Sequence, residues 1–166
     1  MKFRSFLLRV ILRVYLRTHL LLVWLFGRLI RKKAPRQESV TVQLTGTFYS
    51  DNWVLAHCRK VVIVTTNDVS AFENVEIVNP RAWQIRLFGN VVARLLTHFG
   101  LALKSQPDFV GGFHLLFNGL ASGLIASLCG ARSLYFCVGG PAEVLDGGLL
   151  SENRLFEKIG SPDPTI

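Results

Sequence analysis

Acidic residues are missing from the first 36 positions of this chain, which hold ten Lys and Arg. The remaining residues hold nine Lys and Arg against eleven Asp and Glu, so the formal net charge of +8 is carried entirely by residues 1–36. The body is close to neutral. That excludes a nucleic-acid binder with a basic face spread over its domain, because such binding rests on phosphate neutralisation. Cysteine is scarce: Cys58, Cys129 and Cys137 are an odd set with no Cys-x-x-Cys pair. Neither a disulfide framework nor a zinc ribbon follows, and a reducing compartment is the natural setting. Cys129 and Cys137 lie in apolar runs and read as core residues. No two histidines, and no histidine with an acid, have metal-ligand spacing, so neither a metal site nor another cofactor is expected. G-x-G-x-x-G is absent, which makes a hydride-transfer enzyme a distant reading, and so is the G-x-S-x-G of a nucleophile elbow.

What the first 36 residues do have is pattern. Residues 1–33 are apolar between their cations. At about 100° per residue, Arg9, Arg13 and Arg17 fall near 0°, 40° and 80°, and Lys2, Arg28 and Arg31 near 20°, 100° and 40°. Six cations therefore share one arc. In this region the longest run without charge is Thr18–Gly27, ten residues, whereas a span needs about 20. The pattern predicts a basic amphipathic helix lying in a membrane interface. Arg9, Arg13, Arg17, Arg28 and Arg31 would face anionic headgroups, with Trp24 and Tyr15 as amphipathic anchors. Three readings compete with it: a short span with snorkelling arginines, a cleaved signal peptide, and a helix packed on the protein's own core. The cluster Arg31–Arg36 ends the helix and opens a linker. By the positive-inside rule it places the body on the cytoplasmic face of the plasma (inner) membrane, as a peripheral or monotopic protein. Residues 1–36 thus form one unit and residues 37–166 another.

In the second unit, apolar strand-like runs alternate with helical ones. Strands are expected at 40–46, 61–66, Val75–Val78, Phe109–Phe113 and 133–138. A long helix is expected over 83–104, with Arg86, Asn90, Arg94, Thr97 and Lys104 sharing a solvated side. Facing phosphates of an acceptor is the competing role for Arg81, Arg86 and Arg94. A second helix, 115–129, carries Asn118, Gly119, Ser122, Gly123 and Ser127, small residues that let it pack close to a sheet. A glycine-rich loop over 139–150 precedes a last helix capped by Ser151. His57 and His98 read as surface or packing residues. The alternation predicts an α/β fold with a parallel sheet covered on both faces. Glycines stand where strands end, and the fourth strand's end carries His114. Ligands of open α/β sheets bind beyond such ends, so this region reads as one wall of a small-molecule site.

Thr41-Val42-Gln43-Leu44-Thr45-Gly46-Thr47-Phe48-Tyr49-Ser50-Asp51-Asn52-Trp53, Pro107-Asp108-Phe109-Val110-Gly111-Gly112-Phe113-His114, Val138-Gly139-Gly140-Pro141 and Ser151-Glu152-Asn153 resemble, in order and spacing, the amino-terminal half of the retaining glycosyltransferases of family 4. These are GT-B enzymes that use nucleotide sugars. The resemblance implies a Rossmann-like domain, one half of a GT-B fold, that holds the acceptor side of a cleft. It places Gly46 and Thr47 near the donor phosphates, and His114 at the transferred sugar or acceptor. It puts Gly111, Gly112, Gly139 and Gly140 on the cleft, and Glu152 and Asn153 at acceptor hydroxyls. No pair of glutamates seven residues apart occurs, and residue 166 precedes any second domain, so half of an enzyme is implied. The partners implied are a nucleotide-sugar donor, a lipid-linked or saccharide acceptor, the membrane surface and a partner chain with the donor domain, but no nucleic acid. A membrane-tethered acceptor-binding subunit of a split transferase and an inactive truncated product are the alternatives.

Overall fold

The computed structural model describes residues 2–30, 40–46, 58–67 and 73–137. The chain opens with α1 (Lys2–Leu29), followed by β1 (Thr41–Thr45), β2 (Lys60–Val64), β3 (Val75–Val78), α2 (Ala82–Ser105), β4 (Phe109–Phe113), a π-helical turn (Leu115–Gly119), α3 (Leu120–Cys129) and β5 (Arg132–Phe136). The five strands form one sheet in the order β3-β2-β1-β4-β5. Every neighbouring pair is parallel, with Leu44 beside Ile63 and Gly111, and Val110 beside Ser133. This is the predicted Rossmann-like α/β architecture. Three strands depart from the sequence expectation: β1 is trimmed to 41–45, β2 runs over 60–64 in place of 61–66, and the last over 132–136 in place of 133–138.

Each strand alternates its side chains between two faces, and the core divides accordingly. Val42, Leu44, Val61, Ile63 and Phe113 make one apolar layer, with Phe109, Leu134 and Phe136 against it. The Phe113 and Phe136 rings lie 4.9 Å apart. On the other face, Val110 meets Ala102 of α2 and Ile125, Ala126 and Cys129 of α3. At the amino end of the sheet, Asp108 Oδ2 accepts from both the Thr41 amide and the Thr41 hydroxyl, at 2.9 Å each, and so fixes the register of β1 against β4.

The helix ends have local causes. Arg81 donates its amide to Gln84 Oε1 at 2.9 Å to open α2. Gln106 ends it in the left-handed region, with its amide on the Ala102 carbonyl, and Pro107 cannot continue it. Gly89, at φ 75, breaks α2 into two helical segments. Gly130, at φ 67, closes α3 in the same left-handed way. The helix expected over 115–129 divides in two. Its first turn is π-helical, flanked and interrupted by His114 and Phe117 at φ 65 and 64, and regular α-helix begins only at Leu120. Cys129 is buried as expected, whereas Cys137 is exposed, because it follows the edge strand β5.

Candidate functional site

With β1 neighboured by β2 on one side and β4 on the other, the chain reverses its direction across the sheet between β1 and β4. The crevice beyond the carboxyl ends of those two strands is the place where α/β sheets bind ligands. Gly46 follows β1 directly, with φ 129, and its amide donates to the Val64 carbonyl at 3.4 Å. His114 follows β4 directly and is exposed. Its amide donates to the Phe136 carbonyl at 3.3 Å, and its own carbonyl accepts from the Gly119 amide at 3.0 Å. So His114 stands exposed at the carboxyl end of β4, on a backbone held at both its amide and its carbonyl.

Gly111 and Gly112 lie inside β4, and the protein's own atoms fill the space that a side chain would need. A Cβ on Gly111 would come within 2.8 Å of Leu44 Cδ2 and 2.9 Å of Leu134 Cβ. A Cβ on Gly112 would fall 2.6 Å from the Asn118 carbonyl carbon and oxygen. Gly46 is also crowded, by Phe113 Cβ at 3.0 Å and Asn118 Nδ2 at 3.1 Å from the same construction. All three glycines therefore admit a close neighbour, and for Gly46 and Gly112 that neighbour is Asn118 of the π-helical turn. Thr47, Gly139, Gly140, Glu152, Asn153 and Arg31 lie outside the described residues.

On the second face of the sheet, β1 presents polar side chains. Gln43 and Thr45 of β1 alternate with Val42 and Leu44 and point toward α2. The Gln43 Nε2 amide donates to His98 Nδ1 at 3.0 Å and to the His98 carbonyl at 2.6 Å. That direction leaves the imidazole proton on Nε2, which lies 3.3 Å from Ser122 Oγ. His98 is fully buried, and loss of hydration, together with the nearby Arg94 charge, pushes its pKa down to about 3. It is a neutral hydrogen-bonding group that ties β1 to α2 and α3.

Arg94 stands one helical turn before His98. Its Nη2 donates to Asn118 Oδ1 at 2.9 Å, while Asn118 Nδ2 donates to the Phe113 carbonyl at 2.8 Å. This corrects part of the solvated side expected for α2. Arg86, Asn90 and Lys104 are exposed as expected, whereas Arg94 and Thr97 are half-buried, and Val92, Leu96 and Leu103 of the same helix are exposed. The cause is the polar face of β1: a sheet offering Gln43 and Thr45 selects the polar side of the helix above it. The alternation in Thr41-Val42-Gln43-Leu44-Thr45 is the signal of this polar face in the sequence. Arg94 is one of the three arginines for which the sequence offers a phosphate-facing role, whereas its contact with Asn118 and the Gln43–His98–Ser122 relay are not legible there.

The helix α1 is docked on the body along one side. Leu12 and His19 are buried there, and the Tyr15 ring sits 6.3 Å from that of Phe117 in the π-helical turn. Val14, Leu21, Leu25 and Leu29 remain exposed on another side. Arg13, Arg17, Trp24 and Arg28 are exposed too, and the Arg28 guanidinium lies 4.2 Å over the Trp24 ring. Arg9 is half-buried at the edge of the docked side. By length and composition alone, Arg9–Leu29 is long and apolar enough to cross a membrane, with a mean hydropathy of 1.5. A signal sequence or a core helix meets the same criterion.

Comparison of the chain with protein-family models, with curated proteins and with solved structures gives no match. The class defined by these observations is set by the fold: an α/β protein with a Rossmann-like five-stranded parallel sheet, a switch point between β1 and β4, and an apolar N-terminal helix.

Proposed function

We propose that the chain is the acceptor-side half of a GT-B glycosyltransferase at a membrane surface, which moves a sugar from a nucleotide-sugar donor to a lipid-linked or surface-polysaccharide acceptor. The observation that carries this reading is the convergence of Gly46 and His114 at one switch point, the two positions that the sequence resemblance ties to donor phosphates and sugar. Transfer requires stabilisation of a departing diphosphate. Backbone amides and cations placed around the crevice supply it electrostatically. The exposed His114 imidazole orients a hydroxyl of the sugar or acceptor by hydrogen bonding. The cationic and apolar sides of α1 hold the crevice at the lipid surface on the cytoplasmic side.

The test is transfer of labelled sugar from a panel of nucleotide sugars by membranes containing the protein with its donor domain. His114→Ala should lower turnover at least tenfold with the fold intact, and unchanged turnover sinks the assignment. The second reading is a tethered acceptor-binding subunit that borrows its donor domain from another chain. The exposed Trp83, Leu87, Val92 and Leu96 of α2 favour it, because such an apolar row suits a protein contact. Co-purification of a second polypeptide whose removal abolishes transfer decides for this reading.

A further inference from the structure

We propose that Arg94 is the cation of an anion-binding site at the crevice between the carboxyl ends of β1 and β4, and that the site takes a phosphate or diphosphate group. Three observations carry it. First, Arg94 is a half-buried charge, and among the described residues no carboxylate is paired with it; its partner is the neutral Asn118 amide oxygen. A desolvated cation without a counter-charge is costly, and proteins retain one where something anionic comes to it. Second, its Nε is buried without a hydrogen-bond partner, so the planar fork has donor capacity left beyond the bond to Asn118. Third, the guanidinium is aimed. Asn118 holds it from the π-helical turn and also packs against Gly46, at the carboxyl end of β1. An arginine fork held at a switch point matches the geometry of a phosphate oxyanion.

This deepens the reading of the crevice as a ligand site, yet it does not require that the ligand be a sugar donor. The same chemistry is offered by a nucleoside diphosphate and by the diphosphate of a lipid-linked acceptor. The binding assay contains no transfer step, so its failure is separable from failure of the transferase reading.

The experiment uses the full chain in nanodiscs of phosphatidylcholine, which carry no net anionic charge, and inorganic pyrophosphate as the probe, followed by calorimetry. The wild type should bind it saturably. Arg94→Met should weaken binding at least tenfold, while Lys104→Met, an exposed cation in the last turn of the same helix, should leave it unchanged. Thermal melts of each variant establish folding. If Arg94→Met does not fold, Arg94→Lys takes its place, and the loss of the planar fork should still weaken binding several-fold. No saturable binding by the wild type, or equal affinity in the folded Arg94 variant, overturns the proposal. Competition then separates the sources. Displacement by a nucleoside diphosphate assigns the site to the donor side. Displacement by a polyprenyl diphosphate built into the disc assigns it to the acceptor. Displacement by neither overturns the site as one for biological phosphates.

Discussion

A fully buried imidazole between Gln43 and Ser122 makes the fold sensitive to acid. His98 has a pKa of about 3 in the folded protein, against about 6.5 in an unfolded chain. Between those values the unfolded state binds more protons, so stability rises with pH across the window and is lost as pH falls from about 6.5 toward 3. Protonation of this one group should cost about 2 kcal/mol on going from pH 7.5 to pH 5. His98→Gln keeps a hydrogen-bonding amide and removes the titration. Its unfolding free energy, measured by denaturant at both pH values, should therefore change less than that of the wild type; an equal change would show that His98 does not carry the dependence. Glycines offer the contrast at the same scale. At Gly112 an added Cβ meets the backbone of Asn118 at 2.6 Å, and backbone cannot swing aside. Gly112→Ala should cost roughly 2 kcal/mol or more. Gly123, inside α3, has open space around its Cβ position, so Gly123→Ala should be neutral or gain up to about 1 kcal/mol from helix propensity. Denaturant melts of the two variants should move in opposite directions or differ by at least the first amount.

Among the elements, strands were the most legible in sequence. Val75–Val78 and Phe109–Phe113 have in the structure the bounds expected from sequence, because the first is a β-branched run stopped by Asn-Pro and the second is an apolar run opened by Pro-Asp. The orientation of α2 was legible only in part, at Arg86, Asn90 and Lys104 but not at Arg94 and Thr97. Its apolar period is sound, but the side it turns inward depends on what β1 presents, and a helix period holds no information about its neighbour. The π-helical turn was hidden for a related reason: Leu115–Gly119 is apolar and continues into α3, and only the backbone of His114 and Phe117 departs from the helix. Of the candidate site, Gly46 and His114 were visible as strand ends, whereas Arg94 and Asn118 meet only through tertiary packing. The helix α1 shows the complementary case, where periodicity alone grouped the cations. Its exposed arc sets its own prediction. Arg13 and Arg17 are exposed beside Val14 and Leu21, and a basic residue near an anionic lipid surface contributes about 1 kcal/mol. Arg13→Gln with Arg17→Gln should weaken binding to phosphatidylserine vesicles by about 30-fold at low salt. Leu21→Asp should weaken it whatever the lipid charge. Co-sedimentation that is unaffected by all three substitutions would remove α1 from the membrane contact.

Across the whole molecule, the N-terminal helix and the carboxyl ends of β1 and β4 belong to one packed train of groups. Tyr15 of α1 lies against Phe117, which follows Leu116 in the π-helical turn; the next residue, Asn118, holds both the Arg94 guanidinium and the Phe113 carbonyl. Phe117 adopts φ 64, a conformation that costs a bulky residue of order 1–2 kcal/mol and persists only where packing enforces it. The Tyr15 ring is part of that packing, so the turn's order should depend on the docked helix. Aromatic pairs of this kind contribute about 0.5–1.5 kcal/mol beyond burial, which corresponds to roughly a 2- to 12-fold change in local opening. Tyr15→Ala should accordingly speed hydrogen exchange of the Gly119 amide, bonded to the His114 carbonyl, by about that factor. The Val61 amide, bonded to the Asn74 carbonyl in the distant half of the sheet, should exchange as before. If lipid holds α1 in its docked place, vesicle binding should slow the Gly119 amide in the wild type and leave it unchanged in Tyr15→Ala. Equal slowing in both proteins would mean that the surface reaches the crevice by another route than this ring pair.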